Sequence, residues 1–144
     1  MATQKQTLGH WGEQLVAKRC RCPSCKRGQT TRLLPTNFKC ADLICDFCGF
    51  LSQVKDTSVL PDYLLGGAWG PQQERMEAGI YFPLYVVLKG ERPRDFSIFF
   101  LSADLQMPEM FEARKPLSQS ARRAGWQGFR INCGLVRNRF VRLD

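Results

Sequence analysis

Apolar positions along this chain recur with two different periods, and the switches between them outline the elements. From Leu8 to Cys20 the spacing is helical. Trp11, Leu15, Val16 and Cys20 fall on one face, while Glu13, Gln14, Lys18 and Arg19 stay on the wetter side. Thr30 to Leu34 and Phe38 to Ile44 read as short strands around a Pro35-Thr36-Asn37 turn, and Phe50 to Lys55 as a third strand. Two nearly continuous apolar runs, IYFPLYVVLK (Ile80 to Lys89) and DFSIFFLS (Asp95 to Ser102), are joined by GERPR. They predict a hairpin at the centre of a sheet covered on both faces, with Pro83 at an end or a bulge. Thr57 to Pro71 reads as a Gly/Pro/Asp-rich loop and Gln72 to Ala78 as a short helix. Ala103 to Ala113 reads as helical with an interruption at Pro108, and Gly128 to Cys133 with Arg137 to Leu143 as a closing pair of strands. The pattern is that of a mixed α/β chain with a single domain over residues 1–144.

Composition sharpens the picture in two respects. At 144 residues and 44% apolar content, the chain can bury a core without depending wholly on staples. Its 21 Lys+Arg against 13 Asp+Glu give a formal charge of +8, which favours an anionic partner, nucleic acid before a membrane surface. The N-terminus has no apolar signal core and no run is long enough to span a bilayer, so the expected compartment is the cytoplasm. A monomer is the simplest expectation for the oligomeric state.

Seven cysteines include two Cys-x-x-Cys units, Cys22/Cys25 and Cys45/Cys48, separated by Lys26 to Ile44. Two residues between cysteines let both thiolates reach one ion from a tight turn, and the gap suits a four-cysteine zinc site. In a chain without a secretory signal this pattern favours metal over disulfide, leaving a redox Cys-x-x-Cys as the competing reading. Cys20, Cys40 and Cys133 then remain as small buried hydrophobes.

A second device overlaps the first. Asp42 precedes Cys45, and Gln53-Val54-Lys55 follows eleven positions after Asp42. The strand period puts Gln53 and Lys55 on one face with Val54 on the other. Hydrolysis of a phosphodiester needs a hard cation such as Mg²⁺, which takes oxygen ligands. Asp42 would be the main ligand, Gln53 could add its amide oxygen and Val54 its backbone carbonyl, and Lys55 would orient water and offset charge on the phosphate. Glu13, on the first helix, could complete such a site or be a solvated glutamate. A salt-bridged Asp42 and Lys55 on a surface sheet would satisfy the same short pattern. His10 is the only histidine and reads as a surface residue, so no histidine pair is available for catalysis.

Near the other end, Arg114-Lys115-Pro116-Leu117 leads to Arg122-Arg123-Ala124-Gly125-Trp126. Arg114, Lys115, Arg122 and Arg123 can neutralise phosphates while Trp126 stacks on or wedges between bases. A solvated basic loop with Trp126 turned inward is the alternative.

With CPSC, the acid in ADLIC, CDFC, QVK and the distal RKPLSQSARRAGW in this order, the chain resembles the DpnI-like, dam-replacing family of restriction endonucleases. The resemblance covers roughly the whole chain. It implies a PD-(D/E)XK core, a mixed central sheet flanked by helices, with a zinc ribbon inserted within residues 20–50. It also implies Mg²⁺-dependent cleavage of double-stranded DNA at adenine-methylated GATC. On this resemblance Asp42 and Lys55 match the catalytic acid and lysine, and Val54 keeps the carbonyl role. Gln53 stands where a second acid is expected. The family's C-terminal winged helix has no counterpart before Asp144. The alternative expectation is a zinc-ribbon nucleic-acid-binding module with weak or lost catalysis, and RNA remains open as a substrate.

Overall fold

The computed structural model describes residues 4–35, 41–58, 62–67, 69–92, 94–114, 119 and 127–144, with residues 4–10 described as backbone only. In chain order the elements are α1 (Gln4–Arg19), β1 (Thr31–Leu33), β2 (Leu43–Cys45), β3 (Leu51–Thr57), β4 (Tyr63–Gly66), α2 (Trp69–Glu77), β5 (Leu84–Lys89) and β6 (Phe96–Leu101). Two 3₁₀ turns follow, then β7 (Phe111–Ala113), β8 (Phe129–Asn132), a 3₁₀ segment over Cys133–Arg139, and β9 (Val141–Arg142). The architecture is mixed α+β, and the chain gathers into two compact units.

The first unit comprises residues 1–60, 82–102 and 141–144. Its sheet has the order β1-β2-β3-β5-β6-β9. The pair β3/β5 is parallel, with Val54 opposite Tyr85 and Lys55 opposite Val86, and the other pairs are antiparallel. The expected apolar hairpin is β5/β6. Leu84, Tyr85, Val86 and Val87 are all buried because β5 lies between β3 and β6 and both of its faces are covered. Pro83 ends the strand as expected, and its carbonyl accepts the Gln53 N–H at 2.9 Å. Helix α1 lays Val16 onto a core of Leu43, Val54, Tyr85, Val87 and Ile98, with Trp11, Leu15 and Cys20 packed around it. Each aliphatic side chain fully withdrawn from water there contributes about 1.5–3 kcal/mol. This packing holds Glu13 above β3.

The second unit comprises residues 61–81 and 103–140, with the sheet order β4-β8-β7. It corrects three sequence expectations. Thr57 to Pro71 is not all loop: Tyr63–Gly66 pairs with β8, alternating exposed and buried residues. Ala103 to Ala113 is not a helix. It forms 3₁₀ turns over Ala103–Leu105 and Pro108–Met110 and then a strand, because Pro108 has no N–H to continue a helical ladder. The two closing segments are not a strand pair. Phe129–Asn132 pairs with β4 and β7, and Cys133–Arg139 coils with three residues per turn, so that Cys133 and Val136 eclipse and are both buried. Val141–Arg142 joins the other sheet, on β6.

Candidate active site and metal centre

The metal centre is built by two turns of the same design. In the first, the Lys26 N–H donates to the Cys22 carbonyl and the Cys22 N–H to the Arg27 carbonyl. In the second, the Gly49 N–H donates to the Cys45 carbonyl and the Cys45 N–H to the Phe50 carbonyl. Pairing of β1 with β2, Thr31 opposite Cys45, brings the second turn against the first. The four sulfurs of Cys22, Cys25, Cys45 and Cys48 lie within 4.8 Å of one another. Cys22 and Cys48 are 3.5 Å apart and Cys25 and Cys45 3.8 Å. Tetrahedral zinc with bonds of about 2.3 Å requires sulfurs roughly 3.8 Å apart, so the donor set fits a metal such as zinc. Cys45 is already disposed to ionise, its thiol lowered to about 6 by the Thr30 hydroxyl and then by the backbone amides of Cys48 and Phe47. Burial instead pushes Cys22 up to about 12, a resistance that a cation would reverse.

One asymmetry separates the turns. Each requires a left-handed residue after its second cysteine, and the second turn supplies Gly49 at φ 79°. The first has Lys26 there at φ 66°, a conformation costing a side-chain-bearing residue about 1 kcal/mol or more.

Of the remaining described cysteines, Cys133 follows expectation and Cys20 does so only in part. Cys133 is fully buried and Cys20 packs half-buried at the core. Cys40, the Thr36-Asn37 part of the predicted turn and the His10 side chain lie outside the described residues.

The acid-and-lysine device begins where β2 ends. The Asp42 N–H donates to the carbonyl of Ser52, although Ser52 is registered opposite Leu43, so the ladder steps by one residue at this point. Such a step re-aims the side chain. Asp42 Oδ2 accepts the Val54 N–H at 2.8 Å. Burial raises the Asp42 carboxyl above its ordinary range, while the Val54 amide and then the Lys55 ammonium pull it down. Asp42, the Val54 backbone and Lys55 therefore share one locality.

Glu13 enters the same neighbourhood from α1. Its carboxyl is pushed up to about 7, first by burial and then by the charges of Asp42 and Asp56. Gln53 and Lys55 are half-buried on β3, Gln53 registered opposite Leu84.

Asp56 was not a candidate from sequence. It follows Lys55 directly, on the Val54 face of β3 that α1 covers, and both of its carboxylate oxygens are buried without a hydrogen-bond partner among the described residues. Its carboxyl rises to about 6, chiefly through burial; Asp42 adds to the rise, and the Gly12 amide and Lys89 oppose it. The Gly12 amide faces the carboxylate but completes no hydrogen bond with it. A methyl group at Gly12 would stand 1.8 Å from Asp56 Oδ1, so only glycine leaves this space. The available signal was an acid inside an otherwise half-buried strand, which calls for a compensating partner.

A hollow of about 400 Å³ near the ends of β3 and β5 is lined by Ser58, Lys89, Gly90, Arg94, Asp95 and Ser97 among others, and by none of these carboxylates.

In the second unit, Arg114 is half-buried; its N–H donates to the Gly128 carbonyl, and its own carbonyl accepts from Gln127 Nε2. Lys115, Arg122, Arg123 and Trp126 lie outside the described residues. No helix among the described residues is long and apolar enough to cross a membrane.

Fold and site together define a mixed α+β protein with a four-cysteine centre able to hold a metal such as zinc. The chain belongs to the DpnI family, described as the dam-replacing family, which matches residues 2–139. Membership marks a restriction endonuclease-like enzyme and points to DNA as its partner. Comparison with curated proteins gives no match.

Proposed function

We propose that this protein is an Mg²⁺-dependent endonuclease acting in the cytoplasm on double-stranded DNA, with adenine-methylated GATC as its preferred site. On this reading the chain is one nuclease domain, a monomer with a PD-(D/E)XK-type core, and a structural zinc on Cys22, Cys25, Cys45 and Cys48 keeps the reactive hairpin in shape. The observation that carries it is the Asp42 carboxylate clasped by the Val54 amide within the field of Lys55.

The chemistry of the donor set supports a hard cation. Glu13, Asp42 and Asp56 repel one another, and the buried Asp56 oxygens lack partners among the described residues, an arrangement that divalent charge relieves. Asp42, the Val54 carbonyl and the Gln53 amide oxygen would hold the ion, with Glu13 adding a carboxylate from α1. When bound, Mg²⁺ supplies charge neutralisation at the phosphate and a more acidic water. Lys55 would orient the attacking water and stabilise charge developing on the phosphate. Arg114, Lys115, Arg122 and Arg123 would anchor the backbone, and Trp126 would contact a base. Gln53 in an acid's usual place favours a second reading, a DNA-binding module with little catalysis.

Plasmids with and without N6-methyladenine in GATC, incubated with and without Mg²⁺, test the proposal. The expected result is linearisation of methylated plasmid with Mg²⁺ only. Asp42→Ala and Lys55→Ala should each lose several orders of magnitude in rate with DNA binding largely kept. Wild-type rates in either variant would overturn the catalytic assignment, and binding without cleavage under all conditions would favour the module.

A further inference from the structure

The two metal-binding turns match hydrogen bond for hydrogen bond, so Lys26 occupies the place that Gly49 occupies in its twin. A glycine there would be the relaxed choice, and the chain carries a lysine in a left-handed conformation instead. Local strain of this kind points towards a use for the side chain.

The surroundings indicate the use. From Arg21 to Leu34 the chain has Arg21, Lys26, Arg27 and Arg32 and no acid. Arg21, Lys26 and Arg27 are exposed, and neither Lys26 nor Arg27 forms an ion pair with a described residue. The nearby acid, Asp46 of the second turn, is already paired with Arg32. Phe47, at the tip of that turn, is 60% exposed, and the Arg27 guanidinium lies 3.7 Å from the centre of its ring. Stacking fixes the plane of a guanidinium and leaves its N–H edge for a phosphate. A cationic pair on a metal-held turn is preorganised, so little side-chain freedom remains to be lost on binding.

We propose that Lys26 and Arg27, the latter braced by Phe47, form a contact for the phosphate backbone of double-stranded DNA, distinct from the basic 114–126 segment. This rests on the DNA reading above and adds further anchoring residues to it. The contact is with phosphates, so it should strengthen binding to all sequences alike.

The test is a titration of a fluorescently labelled duplex with the zinc-loaded full chain over a range of salt concentrations, without Mg²⁺, alongside thermal melting. Lys26→Gly should weaken binding several-fold and make the slope of log affinity against log salt shallower by about 0.9, the value of one phosphate contact. It should melt at or above the wild-type temperature. Arg27→Ala should weaken binding similarly. Arg142→Ala, which removes an exposed charge on β9, should have a smaller effect. A wild type that binds while Lys26→Gly and Arg27→Ala keep its affinity and slope would overturn this inference alone. Losses equal to that of Arg142→Ala would assign the effect to net charge and overturn it as well. Lys26→Gly melting clearly below the wild type would remove the strain argument and with it the assignment of Lys26. A wild type that binds no duplex would overturn both this contact and the DNA reading.

Discussion

Asp56 combines burial, a negative neighbour and the lack of a hydrogen-bond partner among the described residues in one carboxyl group, and this gives it a measurable pH signature. Its folded value of about 6 lies above the ordinary 3.8, so the folded chain holds that proton more tightly than the unfolded chain does. The associated stability is fully present below the ordinary value and is lost as pH rises through about 6. Asp56→Asn, which stays neutral, should melt like the wild type only below the ordinary value of 3.8, pull ahead of it as pH rises between 3.8 and about 6, and stay above it at about pH 7–8 in buffer without added Mg²⁺. Adding Mg²⁺ should then raise the wild type more than the variant. A gap between the two that does not widen with pH would show that Asp56 is not held in this way. Glu13, raised to about 7, should behave in the same sense.

Helix α1 contributes to the site through a gap as much as through a side chain. Alanine is favoured over glycine inside a helix by roughly 1 kcal/mol, so Gly12→Ala would ordinarily stabilise. Here the added methyl would meet Asp56 Oδ1, and the variant should instead melt lower than the wild type. In an Asp56→Ala background the same change should become neutral or stabilising. Denaturant titrations of the four proteins measure this coupling, expected at about 1 kcal/mol or more, and simple additivity would refute the close approach. At this scale the sequence was legible where the pattern was long. The β5/β6 hairpin and the Trp11–Val16 face of α1 follow from apolar spacing. Short segments such as β4 and the turns over Ala103–Met110 did not, because three or four residues carry too little periodicity to separate a strand from a coil.

For the molecule as a whole, the four-cysteine centre links β1, β2 and the start of β3, and its loss should be felt across the first sheet. Protein purified without chelator should contain one zinc per chain. A strong zinc chelator, or Cys48→Ser, should lower the melting temperature sharply, since binding of a structural zinc is worth on the order of 10 kcal/mol of folding free energy. Zinc-free protein with unchanged melting would end the assignment.

Some of this protein was determined by the sequence alone, because the information is local. Two Cys-x-x-Cys turns need only their own spacing to present paired thiolates, and alternation along Phe50 to Lys55 needs only the strand period. Other features depend on neighbours distant in the chain. Burial of Asp56 depends on the absence of a side chain at Gly12, and the raised carboxyl of Glu13 depends first on its burial and then on its approach to Asp42 and Asp56. The strained Lys26 becomes legible beside its twin Gly49, once the hydrogen bonds of both turns are known. The sorting of β8 and β9 into different sheets was likewise decided by tertiary structure, since β9 takes the free edge of β6 while β8 pairs on both sides, between β4 and β7.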